Sequence, residues 1–569
     1  VAKGSVIGLY MDNSLLWLEL FWAILRSGYR PLLMNRRLDP GSLEDALQVC
    51  DAQAVISEGN SFAAYRWIPS EQLETVEAAK EQEETPVFGE EVLLMSSGTS
   101  AHVKICAYGA EQFRSQIQDS YQIIRKCSQI KKFYKGELKQ LTFLPFYHIF
   151  GLTAMYIWFA FFGRTFVQLN DMAPQTLLNT VRRHGVTHIF AVPLLWEKVF
   201  EQALKTMRNR ADGSVDRFLS AMRKCDKLEW FPQAAWALRR LLFRKVREQL
   251  FGDSVQFMIS GGSHISPDAL HFFNGIGYRL ANGYGMTEIG ITSVNLSSRR
   301  EELYKASVGQ PFDSVEYRTN DEGELMVKSE SISRYIIQDG VRQETPEWFN
   351  TKDLAEVDKD GNWVILGRRD DRVIGPNGEN LNPTRIEEEI CLGDAKGVCL
   401  IDAYGPTLLV SVNHYCSREK LLLMREMIRE DLARINMSTQ IYRIAFVTEK
   451  LLADNEFKMN RARLRQEYLD GKMHEPICYD DKTDEKAMDH LLATVREMCA
   501  IALGKEPEEI DPDADFFLDE GGTSLDYFGF VASMEEEFML RFPIDKEGRS
   551  MSTVREFYEF LKEILEYDD

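Results

Sequence analysis

The chain is short of positive charge: 67 Lys and Arg stand against 88 Asp and Glu, a formal net charge of −21. Nucleic acids and acidic membrane surfaces are held by basic patches, so this balance argues against broad binding to either. Cysteine is also sparse. The nine cysteines are scattered and no Cys-x-x-Cys occurs, which leaves neither a zinc spacing nor a disulfide framework and predicts reduced, buried thiols. Long apolar runs are missing too. The most apolar stretch, Ile149–Gly163, is short for a membrane span and lies between His148 and Arg164, so it reads as a buried core helix. The opening residues, VAKGSVIGLYMDNS, contain no basic-then-apolar signal and no initiator Met. The expectation is a cytoplasmic protein with no membrane span and no nucleic-acid partner, its upstream sequence trimmed.

What is present is a large apolar complement. At 569 residues, with 44% hydrophobic and 11% aromatic residues, the chain suits about three or four packed domains of roughly 150 residues each. Helical spacing over 13–34 ends at Gly28 and gives way to a strand. A second helix over Ser42–Val49 and a strand over Ala54–Ser57 follow, and this alternation predicts an α/β layered core with a largely parallel sheet. Segment 66–90 is Glu-rich and reads as surface loop and helix. Beyond it lie a helix over Glu111–Ile130, a strand over Leu141–Leu144, and strand, turn and helix over 188–200. The basic stretch Leu204–Leu250 reads as a long solvated helical face. Residues 254–266 read as strand and Gly-Gly turn, and 277–290 as strand, tight turn and helix start.

The chemistry centres on Leu93–Gly109. An apolar strand (Val92 to Met95) runs into Ser96, Ser97, Gly98, Thr99 and Ser100, with Lys104 just beyond. Glycine lets backbone N–H groups close on an anion, hydroxyls add donors, and a lysine adds a point charge, so the loop suits phosphate. It is not the Gly-x-x-x-x-Gly-Lys-Ser/Thr loop, having one Gly and no hydroxyl after the Lys.

Taken together, SSGTSAHVK, LPFYHIFG, SGG, NGYGMTE, NTKDL, GRRDDRVIGPNGENLNPTRIEEEI and NEFKMNRARLR occur in the order and spacing of adenylate-forming enzymes. The chain resembles that family, which includes acyl-CoA synthetases, fatty acyl-AMP ligases and peptide-synthetase adenylation domains, from residue 1 to about 470. The resemblance implies an α/β fold: a large two-sheet N-domain over 1–369, then a small mobile α+β lid over 370–475. It implies ATP and Mg²⁺. Ser97, Gly98, Thr99, Lys104, Gly262, Asn282 and Gly283 would line the nucleotide, Tyr284 would stack on adenine, Thr287 would meet phosphate and Glu288 would hold Mg²⁺. Asp353 would accept the ribose hydroxyls, Arg368 would contact the nucleotide, and Asp370 would be the hinge. Lys458 would stabilise charge developing at the α-phosphate, and His148, at the family's Pro-x-x-His-x-x-Gly position, would be catalytic with Lys458 and Glu288. Three departures stand out: Ala101, Val103 and Ile105 replace the phosphate loop's usual Gly, Pro and Gly, Lys352 replaces a Gly, and Glu456-Phe457 replaces Ser-Gly.

No Asp appears in Phe143–Gly151 to pair a substrate ammonium, whose unpaired burial is costly, so an apolar carboxylic acid is expected over an amino acid. After the polar segment Gly471–Asp481, amphipathic spacing marks helices over Asp489–Leu503, Phe530–Phe542 and Val554–Glu566. Between the first two lies DFFLDEGGTSLDYFGF, with Ser524 opening a helix. This unit, 485–569, resembles an all-α phosphopantetheine-dependent carrier protein, and Ser524 matches its 4′-phosphopantetheine attachment serine. A phosphopantetheinyl transferase and downstream carrier-dependent enzymes are then the implied partners. The expected activity is ATP-dependent formation of an acyl-adenylate followed by thioester transfer to the chain's own carrier. The alternatives are an amino-acid-activating peptide-synthetase module, a synthetase using free CoA, and a carrier scaffold that has lost turnover.

Overall fold

The computed structural model describes the chain except residues 39, 60–61, 63, 75–86, 97–103, 128–135, 170, 172–173, 209–213, 227–231, 339, 372, 377–379, 391–394, 442, 453–458, 480–484, 518, 539–550 and 568–569. The chain divides into two compact units, Val1–Asp370 and Asp371–Asp569.

The first unit is α/β. Its helix Leu15–Arg26 forms because Ser14 caps it, accepting from Trp17 N at 3.0 Å, and because Trp17, Leu20, Phe21 and Ile24 fall on one face, all buried. That face covers an eight-stranded sheet. Across the sheet the strands run Val341–Glu344, Tyr335–Gln338, Lys104–Gly109, Glu91–Ser96, Arg30–Leu33, Val6–Tyr10, Ala52–Ser57 and Arg66–Pro69. The half from Glu91–Ser96 to Arg66–Pro69 is parallel, as the helix–strand alternation requires. The pairings from Glu91–Ser96 to Val341–Glu344 are antiparallel. A six-stranded sheet comprises Gly290–Val294, Leu280–Met286, Phe257–Ser260, His188–Ala191, Lys139–Thr142 and Thr165–Gln168. A third sheet, four antiparallel strands over Val315–Arg368, adds to the two that were expected.

The structure differs from three of the local expectations. Residues 277–290 do not start a helix: Leu280–Met286 turns back as an antiparallel hairpin with Gly290–Val294. The close crossing demands glycine, since a Cβ at Gly285 would lie 2.3 Å from the Gly290 carbonyl oxygen. The basic stretch 204–250 is not one solvated face. It breaks into helices Pro193–Arg208, Ser214–Asp226, Pro232–Leu242 and Arg244–Gln249, and Arg239 and Arg247 are fully buried. Each arginine fork caps carbonyls and pairs a carboxylate: Arg239 binds Gly275 O and Asp226, Arg247 binds Ile276 O and Asp253. In segment 66–90, Arg66–Pro69 is the edge strand of the large sheet rather than loop, with a short helix Ser70–Glu74 after it.

The apolar stretch after His148 is helical and buried from Gly151 to Phe159, as expected, but its first turns, Phe150–Ile157, are wound as a π-helix. A Cβ at Gly151 would sit 2.1 Å from Pro145 O, so the turn that presents His148 tolerates only glycine there. Among the described residues no helix is long and apolar enough to cross a membrane.

The second unit opens with a three-stranded sheet, Gly397–Asp402, Pro406–Ser411 and Arg443–Val447, with helices Pro383–Glu388, Arg418–Arg434 and Arg461–Leu469. It ends in a helical bundle of Glu485–Leu503, Ser524–Glu537 and Val554–Tyr567 around Leu491, Val495, Phe530 and Phe557. The second of these helices starts earlier than its apolar spacing alone suggests, at Ser524.

Candidate adenylation site

The hairpin Leu280–Val294 organises the site in the first unit. Gln116, fully buried on helix Ala110–Lys126, clasps it: Nε2 donates to Ile291 O and Ile291 N donates back to Oε1, both at 3.0 Å. Tyr108 Oη donates to Thr287 O at 2.7 Å, fixing the turn from the side of the large sheet. Neither residue was anticipated. A Gln inside the packing face of an otherwise amphipathic helix is the signal that could have found the first.

On that frame, Lys104 at the start of its strand and Glu288 at the turn come together, Nζ to Oε1 at 3.5 Å, although 184 residues separate them. The Glu288 side chain is only 5% exposed. A buried carboxylate with so loose a cationic partner has lone pairs to offer a metal, and a single carboxylate plus phosphate oxygens and water suits Mg²⁺. A different acidic cluster, Glu302, Asp358 and Asp360, is already occupied by Lys305, whose Nζ lies 2.7 Å from Glu302 and 3.1 Å from Asp360.

A second group lies along the same hairpin. Tyr284 Oη donates to Asp353 Oδ2 at 2.5 Å, and Arg368 Nε donates to Asp353 Oδ1 at 3.2 Å. Burial, then the Asp353 charge, pushes the Tyr284 hydroxyl well above its ordinary pKa and keeps it a donor. Asp353 is held in place by Thr351 Oγ1, which accepts from its backbone N at 3.1 Å. The substituted Lys352 sits at φ 59°, in the left-handed region where a Gly would be at ease. Asn282 lies two residues before Tyr284, hence on the same strand face. Its Nδ2 donates to Ala306 O at 2.8 Å, and its Oδ1 is buried with no hydrogen-bond donor among the described residues. A Cβ at Gly283 would lie 3.3 Å from Ile259 Cγ2 and 3.4 Å from the Ser293 carbonyl oxygen, and Gly262 turns at φ 95° after Ser260.

His148 is half-buried beside Tyr147, ring centroids 4.7 Å apart, on the turn before the π-helix. Asp370 lies in the 3₁₀ turn Arg369–Asp371. Ahead of it, Arg369 Nη1 is 2.8 Å from both Glu322 and Glu324. Ser97, Gly98, Thr99, Ala101, Val103 and Lys458 lie outside the described residues. Three residues past Lys458, Arg461 pairs with Glu387 at 2.5 Å, and burial raises the Glu387 carboxyl to about 7 against that pull.

In the second unit Ser524 is the first residue of helix Ser524–Glu537. The cap is Thr523, not Ser524: Thr523 Oγ1 accepts from Asp526 N at 3.3 Å, and Asp526 Oδ2 accepts from Thr523 N at 2.9 Å. Capping therefore does not account for a serine at 524. A helix N-terminus there favours an attached phosphodiester.

Residues 1–334 match the family model described as AMP-binding enzyme. The chain belongs to the AMP-binding enzyme family. A second model, phosphopantetheine attachment site, matches residues 493–561 of this AMP-binding enzyme. Among curated relatives, the long-chain-fatty-acid–CoA ligase FadD15 of Mycobacterium bovis is 27% identical over 327 residues, 53% of this chain and 52% of the relative. The 2-succinylbenzoate–CoA ligase of Bacillus pumilus is 22% identical over 408 residues, 68% of this chain and 72% of its own. The chain thus spans about half the length of the first curated relatives it matches. Among solved structures, o-succinylbenzoate CoA synthetase (MenE) of Bacillus subtilis, in complex with its acyl-adenylate intermediate, superimposes with TM-score 0.62. It is 19% identical and covers 82% of this chain and 89% of its own. McyG A-PCP, complexed with phenylalanyl-adenylate, gives TM-score 0.61 at 15% identity, covering 99% of this chain and 90% of its own. At such identities the likeness establishes the fold, an adenylate-forming α/β architecture.

Proposed function

We propose that this AMP-binding enzyme activates a carboxylic acid with ATP as an acyl-adenylate and loads it onto its own carrier at Ser524. The observation that carries this reading is the joining, in one hairpin, of the Lys104–Glu288 pair to the Tyr284–Asp353–Arg368 group, on a chain that ends in a carrier with a non-capping helix-start serine.

Tyr284 offers a ring to the adenine, and the orphaned Asn282 Oδ1 on the same face accepts from an amine such as the adenine amino group. Asp353, oriented by Tyr284 and Arg368, accepts the ribose hydroxyls. Lys104 and, by the resemblance of its motif, Thr99 would bind the phosphates, and Glu288 would hold Mg²⁺, which supplies charge neutralisation at the phosphate oxygens. The substrate carboxylate attacks the α-phosphorus, the bond to the β-phosphate oxygen breaks, and pyrophosphate leaves. Lys458 stabilises the charge that develops. Ser524, at the start of its helix, would hold a pantetheine arm, which would supply the thiol nucleophile for acyl transfer with AMP as the leaving group. Between the two steps the lid turns about Asp370, whose N-terminal side is anchored by the Arg369 pairs with Glu322 and Glu324.

The acid is an apolar one. Phe143–Gly151 offers no carboxylate for an ammonium, and fatty-acid–CoA ligases are among the relatives. The resemblance to an A-PCP structure over 99% of the chain favours, as a second reading, an amino acid. ATP–pyrophosphate exchange across fatty, aryl and amino acids separates them: exchange with fatty or aryl acids alone supports the first, and exchange with an amino acid alone refutes it.

A further inference from the structure

In its described residues, 471–479, the segment joining lid to carrier is not a free polar tether. Within it, Ile477–Tyr479 pairs in parallel with Tyr415–Ser417 of the lid, Tyr415 opposite Ile477 and Cys416 opposite Cys478. Side chains alternate across such a ribbon, and here the two faces serve two cores. Cys416 is buried in the lid's core with Val410 and Ile428, and Cys478 packs against it. Tyr415 and Ile477 point the other way. Tyr415 is 4% exposed and belongs to the carrier's core with Leu491, Val495 and Phe557, against which Ile477 packs. Its hydroxyl meets Thr494 Oγ1 at 2.8 Å, and its ring stacks on Phe538, with centroids 6.3 Å and planes 18° apart. Helix Glu485–Leu503 is therefore bound to the lid by an apolar core, a hydrogen bond and a strand pairing together.

We propose that lid and carrier are one rigid body joined through a shared ribbon, and that Tyr415 is the positioning residue that fixes where Ser524 is held. This rests on the reading of Ser524 as the loaded serine and of Asp370 as the hinge. A flexibly tethered acceptor samples a volume set by its linker, whereas one fixed to the lid is brought up or withdrawn by the lid's rotation alone. Tyr415 then affects carrier loading and leaves adenylate formation untouched, although it lies far in sequence from every nucleotide contact.

The test uses the full-length, pantetheinylated chain. Bioorthogonal spin labels are placed at Leu422 on the lid, 55% exposed, and at Ile501 on the carrier, 74% exposed. Dipolar spectroscopy with and without a non-hydrolysable acyl-adenylate analogue is expected to give one narrow distance that does not shift, and a broad distribution in Tyr415→Ala. A wild-type distance that is broad, or that shifts with the analogue, overturns the proposal without need of any variant. In parallel, Tyr415→Ala is expected to slow loading of Ser524 by about tenfold with pyrophosphate exchange held within about twofold, while Tyr415→Phe, which keeps the stack, loads within about threefold of wild type. Unchanged loading in Tyr415→Ala also overturns it. Absence of exchange in the wild-type chain would instead refute the enzymatic reading and leave the distance result standing.

Discussion

Tyr284 and Asp353, 69 residues apart in the chain, meet at 2.5 Å, and the carboxylate so oriented is shared with Arg368. On the proposed reading, a carboxylate braced on both oxygens receives the ribose hydroxyls without reorganising. Asp353→Ala is expected to raise the KM for ATP by about tenfold or more. It also leaves the buried Tyr284 hydroxyl without an acceptor, costing about 1–3 kcal/mol of stability. Tyr284→Phe keeps the stacking ring and is expected to raise KM by only about two- to fivefold. Steady-state pyrophosphate exchange at varied ATP separates the two; equal effects would contradict the ribose assignment.

Gln116 holds the hairpin through both ends of its amide. Replacement by Leu keeps volume but strands the buried N–H of Ile291, so a loss of about 2 kcal/mol is expected. Calorimetry of the full chain checks it, and an unaltered transition would show that the clasp contributes nothing.

Asp119 is 1% exposed, and desolvation, partly offset by Ser314 Oγ donating at 2.6 Å, lifts its carboxyl from 3.8 to about 6. A carboxyl raised on folding binds its proton more tightly in the folded state. Its contribution is full below the unfolded pKa and is lost as pH rises through about 6. Asp119→Asn is expected to flatten the fall in unfolding free energy between pH about 4 and about 6, by on the order of 2 kcal/mol. Denaturant titrations at both ends of that window test the sign.

The motifs marked in the sequence the residues that meet as Lys104–Glu288 and Tyr284–Asp353, because each motif is a short run with its own chemistry. The helix Leu15–Arg26 and the first parallel strands were legible from periodicity, since cap and apolar face lie within one window. What escaped reading depends on partners distant in sequence. The hairpin at Gly290 looks like a helix start until Gln116 is seen to occupy its backbone groups. Arg239 and Arg247 look solvated until Gly275 and Ile276 present their carbonyls. The ribbon of Ile477–Tyr479 looks like polar linker because its pairing partner lies in the lid at Tyr415–Ser417.

Lys458→Ala is expected to lower pyrophosphate exchange by about a hundredfold or more, as loss of a charge aimed at the transition state does, while loading from a supplied acyl-adenylate persists. Intact exchange would remove Lys458 from the first step.

Intact-protein mass measures self-loading directly. The pantetheinylated chain is incubated with ATP, Mg²⁺ and a pool of fatty, aryl and amino acids. A mass gain equal to an apolar acid less water is expected, present in the wild type and absent in Ser524→Ala. No gain with the arm confirmed in place, or a gain that survives Ser524→Ala, would contradict it.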